Sequence, residues 1–204
     1  MKALLQKDIY ESVTSMRAVF LVILIFTAVS LLTPASSIII PYLVILPGTM
    51  VATILNLEEQ NGWMVYAGTL PVRRRTQVME KYLYGALLVA LGSLLALLIQ
   101  WTYIFRGQAE FQPAASFLSF LSIGLMAPAL LLPFVYWLGA EKGRYITMFL
   151  VIGIVMLVLT QSRDSGMILP ASVPVGAVFP ACVVIYLASM FLSMRIYEKK
   201  ELTR

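Results

Sequence analysis

The run AVFLVILIFTAVSLLTPASSIIIPYLVILPGTMVATILNL, Ala18 to Leu57, carries no charged side chain. A helix rising about 1.5 Å per residue needs about 20 apolar residues to cross about 30 Å of hydrocarbon. The run holds roughly twice that, so it reads as two spans. Thr33-Pro34-Ala35-Ser36-Ser37 divides them, because proline and hydroxyl residues signal a turn.

Outward from that run, charges punctuate the chain into further apolar stretches: Tyr82 to Phe105, Phe111 to Ala140, Tyr145 to Ser162 and Ser165 to Met194. The pattern predicts six spans, at 18–33, 38–55, 82–105, 115–138, 145–160 and 174–194. Composition agrees, with 60% hydrophobic and 12% charged residues in 204 and a mean hydropathy of +0.89, far from the balance of a soluble domain. The expected fold is an all-α membrane protein, a single transmembrane domain over 1–204. Residues 1–17 form an interfacial helix, 18–55 spans one and two, 56–81 a loop, and 82–138 spans three and four. A short loop at 139–144, spans five and six at 145–194 and a tail at 195–204 complete it.

Lysine and arginine set the orientation. With the N terminus inside, Lys2, Lys7, Arg17, Arg73, Arg74, Arg75, Lys81, Lys142, Arg144, Arg195, Lys199, Lys200 and Arg204 are cytoplasmic, and only Arg106 and Arg163 lie outside. Both termini are therefore expected in the cytoplasm. The net charge of +5 is a topology signal plus attraction to anionic lipid, and nucleic acid is not expected as a partner. A cleavable signal peptide competes for the first span, since small residues follow it near Ala35. The length of that stretch and the patterning of residues 1–17 favour a span.

The sequence also excludes much chemistry. It has no histidine, a single cysteine (Cys182) and no Asp or Glu within the predicted spans. A metal site, a paired-carboxylate site and a Ser-His-Asp triad therefore cannot form in the membrane. No G-x-x-x-x-G-K-[ST] phosphate loop occurs, so the chain is not expected to be an enzyme by itself, and energy for work would enter from another chain. Ion-driven transporters usually mark their pathway with ionisable groups. A secondary transporter holding sodium on backbone carbonyls, at helices broken by Pro41, Pro47, Pro128, Pro133 and Pro180, stays as an alternative, although no clear internal repeat emerges.

Residues 1–17 place Leu5, Ile9, Val13 and Met16 at helical spacing, with Lys7, Asp8, Glu11 and Ser15 elsewhere on the wheel. That describes an amphipathic helix in the membrane interface. The loop LEEQNGWMVYAGTLPVRRRTQVMEKYL, Leu57 to Leu83, gathers seven charged residues around Trp63, Tyr66 and Pro71. Its first part predicts a short helix from Leu57 to about Gly68, with Glu58 and Glu59 at the positive end of the dipole. After Pro71 a second helix leads into span three, with Arg74, Arg75, Lys81 and Tyr82 as anchors at the membrane surface. A long loop with its own secondary structure points to a docking surface for a soluble partner.

On these residues the sequence resembles the membrane subunits of short ABC-2 type exporters. The resemblance rests on the N-terminal LLQKDIY, two spans in quick succession, and the pattern E-x-x-x-G-W…L-P-V-x-R-x-x-x-V-x-x-K-Y. Glu58, Gly62, Trp63, Leu70, Pro71, Val72, Arg74, Val78, Lys81 and Tyr82 supply it. The resemblance implies a half-transporter in a bacterial plasma membrane: a homodimer of this permease with two ATP-binding subunits, which bind ATP and Mg, while this chain binds no cofactor or metal. Glu58, Glu59, Gly62, Trp63, Tyr66, Leu70, Pro71 and Arg74 would then form the ATPase-coupling helix and its flanks. Glu141, Lys142 and Arg144 of GAEKGRY would make a second cytoplasmic contact, which a plain positive-inside turn explains equally well. Ser165 to Ala181, apolar with three prolines, suits a re-entrant gate and equally a kinked start of span six.

A pathway between two copies would need polar but uncharged lining. Thr49, Thr53, Ser116, Ser119 and Ser122 are the candidates, although such hydroxyls also bond their own helices. Gly48 with Ala52 and Gly92 with Ala96 are small pairs that allow close helix approach. An uncharged lining favours hydrophobic or amphipathic cargo. The short members of the resembled family include exporters of amphipathic peptide toxins such as the phenol-soluble modulins, which makes a peptide-like substrate the leading expectation. A membrane-embedded peptide-binding or immunity protein that works without ATP is the alternative.

Overall fold

The computed structural model describes residues 2–32, 39–69, 73–105, 113–164 and 175–199. Among them the chain forms helices and no strand: α1 (Lys2–Ser15), α2 (Arg17–Leu32), α3 (Ile39–Gln60), α4 (Trp63–Ala67), α5 (Arg74–Phe105), α6 (Pro113–Asp164) and α7 (Val175–Lys199). The expected turn around Pro34 and the first half of the expected re-entrant segment, 165–174, lie outside the described residues, and α7 begins at Val175.

The described residues of each of the six expected spans are helical. Ile39–Gln60, Arg74–Phe105, Ser116–Gly139 and Val178–Lys199 are long and apolar enough to cross a bilayer. The 16 residues of α2 extend only about 24 Å, short of the hydrocarbon thickness. Together with α1, from which it bends by 73°, α2 makes a fifth candidate. α6 is broken at Gly139 (φ 79, ψ 176), between the expected spans four and five, and its second arm covers the expected fifth span. The protein is an all-helical, multi-pass membrane protein.

The membrane explains its inverted surface. Leu21, Leu24, Leu91, Leu98, Val184 and Phe191 are exposed, as befits side chains that meet lipid rather than water. At one end of α5, Trp101 and Phe105 stack at 6.5 Å between ring centroids. Lys81, at the other end, lies about 30 Å away along the helix. That spacing puts aromatic residues at one membrane boundary and charge at the other.

Inside, α3 is the central helix, packed on α5 and α6, with α7 against α6 and α5. Small residues let it approach. A Cβ on Gly48 would stand 3.0 Å from the Gly124 carbonyl oxygen, and one on Gly92 would stand 3.1 Å from Pro47 and 3.2 Å from the Leu43 carbonyl oxygen. Ala52 and Ala96 are fully buried, so both expected small-residue pairs sit at helix contacts. The expectation that prolines break the helices is corrected. α3 continues through Pro47, α6 through Pro128 and Pro133, and α7 through Pro180. The break falls instead at Gly139, whose backbone conformation only glycine adopts easily.

Candidate functional site

The charges of the long loop do not face outward as one surface. α3 runs on through Glu58 and Glu59 to Gln60, and the chain reverses at Asn61–Gly62, where Gly62 takes φ 71. The amide of Asn61 closes α3 on the Leu57 carbonyl at 2.9 Å, and Gly62 offers its carbonyl to Tyr66 at 3.3 Å, opening the five-residue helix α4. This corrects the expected single helix from Leu57 to Gly68. Glu58 and Glu59 end α3, at the negative pole of its dipole, where carboxylates are disfavoured.

Cations from other helices compensate. The Lys81 ammonium donates to Glu58 Oε1 at 2.7 Å and to both Asp8 carboxylate oxygens at 2.7 Å. Lys7 pairs with Glu58, with Glu11 at 3.0 Å and with Asp8 at 3.5 Å. Its ammonium also lies 4.3 Å from the centroid of the Trp63 ring. Asp8, Glu58, Glu80 and Lys81 are 1%, 3%, 2% and 5% exposed. One cluster thus joins α1, the end of α3 and the start of α5, beneath α4. Three carboxylates, of Asp8, Glu11 and Glu58, bring oxygens within 4.8 Å of one another. The ammonium groups of Lys7 and Lys81 stand among them, so the protein supplies its own cations there.

The cluster explains how α1 sits. Asp8 and Ser12 are buried, and Ile9, Tyr10 and Val13 are exposed, so the polar face looks into the bundle and part of the apolar face looks out. Ser12 Oγ donates to the Asp8 carbonyl at 2.6 Å and shares a hydrogen bond with the Tyr84 hydroxyl. The expected apolar stripe divides: Met16 is buried and Leu5 packs on the core, while Ile9 and Val13 face away.

The basic half of the loop ties helices together. Arg74 Nη1 donates to the Glu198 carbonyl at 3.3 Å, and its guanidinium lies 6.0 Å from the Tyr197 ring centroid. It thereby caps the C-terminal turn of α7, where a cation is favoured. Arg75 Nε donates to Glu198 Oε1 at 2.5 Å. That bond raises the arginine's pKa and lowers the glutamate's, each stabilising the other's charge. Gln77 bridges α4 to α7, donating to the Ala67 carbonyl and accepting from the Tyr197 hydroxyl, both at 3.1 Å. Reading Lys81 and Tyr82 as membrane-surface anchors is corrected, because both are buried in protein. The Tyr82 hydroxyl bonds Ser189 at 2.8 Å and Ser193 at 2.7 Å.

Of the residues expected to meet a partner, Gly62 and Tyr66 are exposed, Trp63 and Arg74 partly buried and Glu58 buried. Glu59 turns toward the break in α6, where a Cβ on Gly139 would stand 2.8 Å from its Oε1. Leu70 and Pro71 lie outside the described residues, as do the side chains of Glu141 and Arg144, while Lys142 is exposed. Among the expected pathway residues, Thr49 donates to the Leu46 carbonyl at 2.8 Å, Thr53 to that of Thr49 at 3.2 Å and Ser122 to that of Leu118 at 2.7 Å. These three hydroxyls are satisfied on their own helices. Ser116 and Ser119 are half-buried on α6.

Sequence reasoning missed Asp8 and Glu80, and it misplaced Lys81. A signal was present for Lys81: it lies on the same face of α5 as Gly85, Leu88, Gly92 and Ala96, the buried stripe of that helix.

Two open spaces stand out, of which the first borders the cluster. A groove of about 540 Å³ between α1 and the α3–α4 turn is lined by Tyr10, Glu11, Trp63 and Tyr66 among others. An apolar groove of about 520 Å³ between α6 and α7 is lined by Pro133, Phe134, Trp137, Leu192 and Ile196 among others. The family model described as ABC-2 family transporter protein matches residues 3–198 of the chain. No curated protein matches it.

Proposed function

The chain belongs to the ABC-2 family of transporter proteins, and on that premise we propose that it is the membrane permease subunit of an ATP-driven exporter. In this reading it crosses the plasma membrane of a bacterium six times with both termini in the cytoplasm. Two copies assemble with two ATP-binding subunits, and ATP with Mg is hydrolysed on those subunits.

The observation that carries the reading is how α4 is mounted. Its exposed Tyr66 and the adjoining Trp63, with rings 5.2 Å apart, stand at the charged end over the ion cluster that joins α1, α3 and α5. A push on α4 therefore reaches three helices at once through buried ion pairs, rather than dissipating in a slack loop. Within the coupling motif the roles divide. Tyr66, Gly62 and Trp63 meet the ATP-binding subunit, Glu58 transmits from inside, and Glu59 passes the displacement to the α6 break. Lys142, just past that break, is the described part of the second contact.

The cargo in this reading is hydrophobic or amphipathic, with a peptide such as a toxin or antimicrobial peptide foremost. Its support is the apolar groove between α6 and α7 and the absence of Asp and Glu from the expected spans. The test is reconstitution with an ATP-binding subunit that co-purifies with this chain, followed by ATPase and uptake assays with amphipathic peptides. Peptide-stimulated hydrolysis and ATP-dependent uptake are expected. Protection against a peptide in cells lacking every partner ATPase would instead favour an ATP-independent immunity protein.

A further inference from the structure

The cluster contains one carboxyl group, that of Glu80, whose nearest ammonium stands at the 4.0 Å edge of ion-pair distance and donates its protons elsewhere. Lys81 spends its three donor protons on the two Asp8 oxygens and on Glu58, and stands 4.0 Å from Glu80 Oε2. Lys7 is committed to Glu58, Glu11 and the Trp63 ring. Two ammonium groups thus face three carboxylates, those of Asp8, Glu11 and Glu58. Glu80 is left buried, with its Oε1 without a hydrogen-bond partner.

We propose that Glu80 is a proton-binding site that latches α1 to the bundle: protonated, it holds α1 docked on α3 and α5, and loss of the proton releases α1.

Of the groups around Glu80, the lysines Lys81 and Lys7 favour its ionised form, and the rest do not. Asp8 from α1 and Glu58 from α3 are acidic, Tyr136 from α6 and Tyr197 from α7 are neutral, and Lys81 on its own helix is already saturated. Glu11 from α1 adds negative charge nearby, and Tyr84 of α5 is committed to Ser12. A neutral Glu80 can donate its proton to Asp8, whereas an ionised one repels it. The cavity these groups share holds about 30 Å³, room for about one water. One water satisfies an ionised carboxylate only in part, so ionisation favours opening of the site. Of the elements around it, α1 is the one free to leave, because Ile9, Tyr10 and Val13 already face outward and suit the membrane interface.

Burial above all pushes the Glu80 carboxyl up, to about 8; Lys81 opposes this and hydrogen bonding to Asp8 adds to it. Released and hydrated, the group returns to its ordinary 4.5. The docked state therefore binds the proton more tightly. Its advantage is complete below pH 4.5, declines as pH rises and is gone above about 8.

The test needs no partner subunit, so its failure leaves the transport reading untouched. Spin labels at Tyr10→Cys on α1 and Arg73→Cys before α5, in a Cys182→Ala background in lipid nanodiscs, report their separation by pulsed electron paramagnetic resonance. One narrow distance is expected at about pH 4.5, broadening to longer distances as pH rises from there to about 8. Glu80→Gln should keep the narrow distance throughout. An unchanged wild-type distribution from about pH 4.5 to 9, or broadening of equal extent in Glu80→Gln, overturns the proposal. Should Glu80→Gln fail to insert, the presence or absence of the wild-type transition decides alone.

Discussion

The ammonium of Lys81 lies 2.7 Å from both carboxylate oxygens of Asp8, a residue 73 positions earlier in the chain. The pair fastens the first helix to the third expected span, and both partners are buried. Removing one partner leaves the other's charge stranded in protein, which costs about 3–5 kcal/mol. Lys81→Met should lower the thermal midpoint of the detergent-solubilised protein accordingly. The double variant Lys81→Met with Asp8→Asn should recover part of that loss, which a thermal-shift double-mutant cycle measures.

Among the described glycines, Gly124 is the most tightly enclosed. A Cβ there would collide with Val89 of α5 and would stand 2.7 Å from Val44 of α3. Gly124→Val should destabilise by about 1–3 kcal/mol or more. The same change at Gly153, which has open space around it, should cost far less in the same melting assay.

At Gly139 the penalty has two sources, a backbone conformation reserved for glycine and the Glu59 carboxylate in the space of the absent side chain. Gly139→Ala should cost about 1–3 kcal/mol from the backbone alone. Adding Glu59→Ala should relieve the steric part and leave the backbone part, so the two changes should not be additive.

Trp63→Ala and Tyr66→Ala should separate stability from coupling. Tyr66 is exposed, so its truncation should leave the melting midpoint within about 0.5 kcal/mol of wild type. Peptide-stimulated ATP hydrolysis in the reconstituted complex should fall severalfold. Trp63→Ala should do both, because it also removes the ring under Lys7.

The helices lie where the charges thin out, because burial in lipid leaves little choice about where charge can go. The close approaches at Gly48 and Gly92 were visible as small-residue pairs, a pattern that is also common by chance in spans rich in glycine and alanine, and the packing shows which pairs are used. The turn at Gly62 was not. Two glutamates before an aromatic stretch read as the start of a helix when only neighbours in sequence are considered. They end one instead, because Lys81 and Lys7 arrive from elsewhere in the chain to neutralise them. The inward polar face of α1 has the same origin. Its amphipathic pattern was visible, but which face meets protein depended on the partner of Asp8, and no local pattern encodes that.

The central claim is that a separate ATP-binding subunit engages this chain at α4. It is tested most directly by placing a photo-crosslinking amino acid at Tyr66, and in a second protein at Phe105 at the far end of α5, and illuminating cells of the native host. The account predicts an adduct with the ATP-binding subunit from position 66 and none from position 105. No adduct from position 66, or equal yields from both, would contradict it.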